Sequence, residues 1–257
     1  MNPIAFNLFG LPIAWYGIII SFAIIVGYFV GQLQSKLYDM DFDKITDVFI
    51  VALPISVICA RLYYVIFEWS YYKNDFIEIL NIRGGGLAIH GGILGAILSG
   101  YLMARFKKID FLKLLDVAGP PFVIAQAIGR WGNFFNSEAH GGEVSKEFIS
   151  HFPSFIQKGM YIEGTYYHPT FLYESIWNLI VFIFLMIISR RVRLYKGSIF
   201  SLYLMLYSIG RFFIEGLRTD SLMIGPLRMA QVISLVFILV TSILLIILNK
   251  RKTTKYI

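Results

Sequence analysis

Seven stretches of this chain are apolar enough and long enough to cross a lipid bilayer: residues 13–35, 46–68, 87–105, 113–136, 170–189, 198–217 and 228–249. The hydrocarbon core of a bilayer takes about 20 helical residues. In lipid each backbone polar group must be satisfied within its own segment, so runs of this kind form helices. The pattern predicts an all-α polytopic membrane protein with seven transmembrane helices, a single transmembrane domain over residues 1–257. Pro120-Pro121 predicts a kink in the fourth span. The segment 69–86 opens with Trp69-Ser70-Tyr71-Tyr72-Lys73 and continues Asp75-Phe76-Ile77-Glu78-Ile79-Leu80. That mixture predicts an arm lying on the membrane surface. Residues 137–168 are punctuated by Gly141, Gly142 and Gly164 and carry Phe148, Phe152, Phe155 and Ile156. They predict a small head or lid at the membrane surface, part of it resting on lipid, with its secondary structure left open. Residues 1–12 hold no Lys or Arg, and the first apolar run is too long for an h-region, so no cleavable signal peptide is expected.

Composition agrees with the pattern. Hydrophobic residues make up 57% of the chain and charged residues 15%, with a mean hydropathy of +0.68, more apolar surface than a soluble fold hides. The net charge of +7 fits basic loops beside anionic lipid better than nucleic-acid binding. Its distribution orients the chain. Lys73, Arg83, Lys146, Lys158, Arg218 and Arg228 fall on one side. Lys36, Lys44, Arg105, Lys107, Lys108, Lys113, Arg190, Arg191, Arg193, Lys196, Lys250, Arg251, Lys252 and Lys255 fall on the other. The positive-inside rule then places the N-terminus outside and the C-terminus in the cytoplasm, with arm and head on the outer side. Cys59 stands alone in an apolar run and reads as packing; one cysteine and four histidines show no metal-ligand spacing.

Against this apolar background the polar residues inside the spans stand out, because a charge in hydrocarbon is costly and by default marks a functional site. The fourth span ends in Gly129-Arg130-Trp131-Gly132-Asn133-Phe134-Phe135-Asn136-Ser137-Glu138-Ala139-His140-Gly141. Gln126, Arg130 and Asn133 share a helix face, and Gly129 and Gly132 let a neighbouring helix approach. Tyr207, Arg211, Glu215 and Arg218 form a second polar stripe, which reads either as an internal salt bridge or as part of a site. His168 and Glu174 open the fifth span, and His90 lies between glycine pairs at the start of the third. Tyr16 is either an interfacial anchor or a hydroxyl turned into the bundle. In the predicted orientation, five of the seven helices bring polar groups to the outer leaflet. A transporter site is expected nearer the midplane, so the pattern favours an enzyme acting at the outer surface. Arginines suit phosphate, since their planar forks make bidentate, charge-assisted hydrogen bonds, and in a bilayer phosphate belongs to a phospholipid head group.

The long motif at residues 129–141 resembles the signature of bacterial prolipoprotein diacylglyceryl transferases. Trp15-Tyr16-Gly17, Gly85-Gly86-Leu87-Ala88-Ile89-His90-Gly91, His168-Pro169-Thr170-x-x-Tyr173-Glu174 and Gly210-Arg211-x-x-x-Glu215-x-x-Arg218 match that family's pattern in the same order. The resemblance implies transfer of the diacylglyceryl group of phosphatidylglycerol to the lipobox cysteine thiol of a prolipoprotein, the first step of lipoprotein maturation, with glycerol phosphate released. It implies a multi-pass protein of the bacterial plasma membrane with its site facing the outer leaflet, and no cofactor or metal. Its catalytic residues would be His90, Arg130 and Arg211. Substrate binding would fall to Tyr16, Asn133, Asn136, Glu138, Gly141, His168, Glu174, Tyr207, Glu215 and Arg218. The alternatives are a lipid or anion transporter built on the same arginines, and a phospholipid-dependent acyltransferase.

Overall fold

In the computed structural model residues 2–73, 77–82, 85–192 and 194–250 are described. Among them, seven helices are long and apolar enough to cross a membrane: α1 (Trp15–Leu37), α2 (Phe42–Phe67), α4 (Ile89–Phe106), α5 (Phe111–Phe135), α8 (Thr170–Arg191), α9 (Ser198–Glu215) and α10 (Met229–Lys250). The protein is thus an all-α polytopic membrane protein. The short helices α3 (Trp69–Tyr72), α6 (Lys146–Ile149) and α7 (Ser154–Gly159) lie between them.

Boundaries differ from the hydropathy pattern where local chemistry overrides it. Residues before α1 form a hairpin, β1 (Ile4–Leu8) on β2 (Leu11–Ala14). Its turn residues Phe9 and Gly10 both have positive φ, 48° and 82°, as the favoured two-residue hairpin turn requires. Helix α2 starts early because the Asp41 carboxylate accepts from the Asp43 N–H at 3.0 Å and caps it. Helix α5 continues through Pro120 and Pro121.

The chain divides into two compact units, Asp39–Leu114 and Met1–Tyr38 with Leu115–Ile257. In the former, α2 and α4 pack through small residues. A Cβ at Gly91 would run into the Cys59 carbonyl oxygen, and one at Gly95 would lie 2.6 Å from the Cys59 Cβ. Cys59 is therefore a packing residue of a small-xxx-small interface. The arm after α2 is broken into α3 and a 3₁₀ turn at Glu78–Leu80; Asp75, Phe76, Arg83 and Gly84, which the sequence also assigns to it, lie outside the described residues. Arg61 explains how the arm is held. This buried arginine of α2 donates to the carbonyls of Glu78 (2.6 Å), Ile79 (2.8 Å), Gly85 and Gly86 (both 2.9 Å), with its guanidinium over the Tyr72 ring at 5.0 Å. A charge inside a span must find partners, and here irregular backbone supplies them.

The other unit holds α1, α5, α8, α9, α10 and the head. Residues 143–167 contain a three-stranded antiparallel sheet, β3 (Glu143–Val144), β4 (Tyr161–Ile162) and β5 (Thr165–Tyr167), in the order β3-β5-β4. The head packs on the ends of α5 and α8 through Phe134, Ile149, Ile156, Met160 and Phe171. Of the apolar residues expected to let part of the head rest on lipid, Ile156 is buried and Phe152 packs on the same core, while Phe148 and Phe155 are exposed. A last hairpin, β6 (Met223–Ile224) on β7 (Leu227–Arg228), leads into α10.

Candidate active site

Two glycine contacts bring the helices of this unit close enough to share side chains. A Cβ at Gly132 would meet the Tyr16 ring at 2.7 Å, so α1 lies directly on α5. A Cβ at Gly210 would run into the Trp177 ring, and the Trp177 indole donates to the Leu206 carbonyl at 2.9 Å, tying α8 to α9. Ser175 of α8 donates to the Ala127 carbonyl at 2.8 Å and accepts from the Trp131 indole at 3.2 Å, tying α8 to α5.

These ties place Glu174 between two arginines. Its side chain is 4% exposed; one carboxylate oxygen lies 2.8 Å from Arg130 and the other accepts from Arg211 at 3.2 Å. Arg211 also meets Glu215 at 2.5 Å, one turn along α9. The two guanidinium charges are thus matched by two buried carboxylates, as burial demands. The Arg130–Glu174 and Arg211–Glu215 contacts are close in distance but poorly aligned as hydrogen bonds, since Glu174 Oε1 and Glu215 Oε2 accept none. Arg130 also donates to Asn133 Oδ1 at 3.2 Å and is within hydrogen-bonding reach of the Tyr207 hydroxyl. Asn133 passes the chain on to Glu138 at 2.8 Å, and Asn136 reaches the same oxygen at 3.4 Å. Glu138 can fold back because Ser137 and Ala139 adopt φ of 54° and 58°. Positive φ is uncommon for such residues and gathers at functional sites.

A second layer joins the loops. Gly141 donates to the His168 carbonyl, and Gly142 donates to the Leu217 carbonyl, both at 3.0 Å. A Cβ at Gly141 would fall 2.6 Å from His168 Cβ, which reserves the position for glycine. The His168 imidazole lies 3.2 Å from the Tyr173 hydroxyl, and burial lowers its pKa. Arg218 is clamped in two parallel bonds by Asp220, at 2.9 and 2.7 Å, and Arg228 donates to the Glu215 carbonyl.

The structure therefore gathers Tyr16, Arg130, Asn133, Asn136, Glu138, Glu174, Tyr207, Arg211 and Glu215 around one network, with Gly141, His168 and Arg218 in the adjoining loop layer. His90 belongs to the Asp39–Leu114 unit. It is exposed in the first turn of α4, with the Tyr63 ring 6.2 Å away. Sequence reasoning missed Asp220, which sits in irregular chain after α9 where no periodicity marks it. It also missed Asn178, fully buried one turn below Glu174, which the i, i+4 spacing would have found.

Fold and network together define a class: polytopic helical membrane proteins whose intramembrane arginines and carboxylates are gathered from several helices. Residues 3–247 match the sequence profile described as prolipoprotein diacylglyceryl transferase. The phosphatidylglycerol–prolipoprotein diacylglyceryl transferase of Clostridium novyi (strain NT) is 68% identical over 255 residues, 99% of each chain. That of Clostridium botulinum (strain Loch Maree / Type A3) is 55% identical over 94% of each chain. Transferase 1 of Clostridium perfringens (strain 13 / Type A) is 52% identical over 99% of this chain and 97% of its own. The chain belongs to the prolipoprotein diacylglyceryl transferase family.

Proposed function

We propose that this protein transfers the diacylglyceryl group of phosphatidylglycerol to the lipobox cysteine thiol of a prolipoprotein. The thiolate attacks the glycerol carbon that bears the phosphate ester. A carbon–sulfur bond forms, the carbon–oxygen bond breaks, and glycerol phosphate leaves with the electron pair. The thiol proton passes to a base, for which His90 is the candidate. The observation that carries this reading is Glu174 held between Arg130 and Arg211. Two arginines from different helices, confined by one buried carboxylate, form a pre-organised clamp for the charge that grows on a departing phosphate.

As paired, the clamp is neutral. An incoming phosphate takes over guanidinium N–H groups from Glu174 and Glu215. Glu174 and Glu215 act through the arginines. Asn133, Asn136 and Glu138 hold Arg130 from the other side, Tyr16 and Tyr207 flank it, and Gly141, His168 and Arg218 form the adjoining head-group wall. The bacterial relatives favour a place in the bacterial plasma membrane, and the basic-residue count favours this wall on the outer leaflet, where secreted prolipoproteins present their cysteines.

Purified protein incubated with phosphatidylglycerol and a lipobox peptide should give, by mass spectrometry, a diacylglyceryl thioether on the cysteine and free glycerol phosphate. An acyl ester, or lipid moved across a vesicle membrane with no thioether, would replace this reading with acyl transfer or transport.

A further inference from the structure

One turn below the charged cluster lies a layer of neutral polar groups of which the transfer reading uses only Tyr207. Its place follows from contacts already described. Helices α5 and α8 run antiparallel, with Arg130 against Glu174 and Ala127 against Ser175; carried one turn further from the charges, that register puts Gln126 at the level of Asn178. Helices α8 and α9 pair Glu174 with Arg211 and Trp177 with Leu206, which sets Asn178 opposite Tyr207. On α5 and α9, Arg130 reaches Tyr207 and Gln126 reaches the Tyr203 hydroxyl. Three registers converge on one level.

The hydrogen-bond account at that level does not close within the protein. Asn178 is fully buried, and neither its Nδ2 nor its Oδ1 has a partner; Gln126 Oε1 is buried and unpartnered as well. Buried amides are hydrogen-bonded in nearly all proteins, and leaving both ends of one unmet is costly in a membrane interior. Packing alone would be served by leucine at position 178. The groups left over are donors and acceptors together, which excludes an anion or a cation as the natural occupant and fits a group that both gives and takes a hydrogen bond.

We propose that Gln126, Asn178 and Tyr207 form a buried hydroxyl-binding site directly beneath the Arg130–Glu174–Arg211 clamp. Two sources share this chemistry: a bound water, and a free hydroxyl of the phospholipid's terminal glycerol. The second rests on the transfer reading and would make the layer a determinant of head-group choice. The first does not depend on it. In both, the occupant fixes the Tyr207 hydroxyl, and with it the guanidinium of Arg130.

Hydroxyl-radical footprinting with synchrotron X-rays on the full-length protein in micelles tests the site, because bound water is the radical source and marks the side chains beside it. Labelling of Tyr203 or Tyr207 without lipid is the expected result, although Tyr203 is only 5% exposed. Phosphatidylglycerol and phosphatidylpropanol, which keeps the phosphate but has no free hydroxyl, separate the sources. Labelling lost with the first lipid alone assigns a head-group hydroxyl; labelling kept with both assigns a resident water. Asn178→Leu, or Gln126→Leu where the former does not fold, should abolish the labelling. It should also lower kcat/KM for thioether formation about tenfold or more, the size of a lost buried hydrogen bond. Absence of labelling in the wild type under all three conditions would overturn the proposal, as would labelling or turnover unchanged in a folded leucine variant. A wild type that labels as expected but makes no thioether leaves the site standing and removes the transfer reading.

Discussion

Arg130 makes three kinds of contact at once: an ion pair with Glu174, a hydrogen bond to Asn133 and an approach to Tyr207. A planar fork allows this; an ammonium on a flexible stem does not. Arg130→Lys should therefore keep the charge and lose the geometry, with turnover falling by ~10²–10³ and lipid affinity changing much less, since the phosphate gains charge only in the transition state. Kinetics on the folded variant check this, and near-normal turnover would shift the role to Arg211. A second residue-scale outcome concerns Asp220. The Arg218 guanidinium, by hydrogen bonding, holds the Asp220 carboxyl below the usual carboxylate range. A group with a lowered folded pKa contributes stability above its unfolded value, about 3.9, and loses it as pH falls through the folded one. The pair should survive mild acidification, to about pH 5, and open only at stronger acid. The carboxyl carbon resonance of Asp220 should titrate below about 3.9 and move up towards that value in Arg218→Gln. No upward move would mean that Arg218 is not the cause.

At the scale of elements, the network depends on how closely helices approach. Gly210 admits the Trp177 indole, whose hydrogen bond to Leu206 fixes the register that sets Glu174 against Arg211. Gly210→Ala should cost about 1–3 kcal/mol as an overpacked contact and lower the melting temperature. Because the displaced helix also carries Glu174, turnover should fall further than stability does. An alanine variant with unchanged melting would show that Trp177 has room to move. Asp116 adds a second kind of inter-element tie. Its buried carboxylate accepts from the Gly197 and Phe200 N–H groups at 2.7 and 2.9 Å, capping α9 from another helix. Gly197 there has φ of 85°, a left-handed conformation suited to glycine.

For the whole molecule, the excess of basic residues on one set of loops predicts an outside N-terminus and a cytoplasmic C-terminus. Reporters fused after residue 110 and after residue 195 should both report cytoplasm. A reporter after residue 145, in the head, should report the outside, and a cytoplasmic signal there would reverse the assignment of the site to the outer leaflet. Some residues behind that count, Arg83, Arg193, Arg251, Lys252 and Lys255, lie outside the described residues, so this expectation rests on sequence alone.

The sequence by itself determined the seven helices, because twenty apolar residues in lipid leave the backbone no other way to satisfy itself. It also determined which side chains stand out, because Arg130, Glu174 and Arg211 are too costly in hydrocarbon to be incidental. Spacing along one helix made the Arg211–Glu215 pair legible, since residues four apart share a face. What only the tertiary structure decided is who meets whom between helices. That Glu174 bridges two arginines, that Asn178 is fully buried below it, and that Arg61 holds an irregular arm by its carbonyls depend on how the elements pack. Register is set by glycine contacts such as Gly132 with Tyr16 and Gly210 with Trp177, where the absence of a side chain matters only once a particular neighbour fills the space.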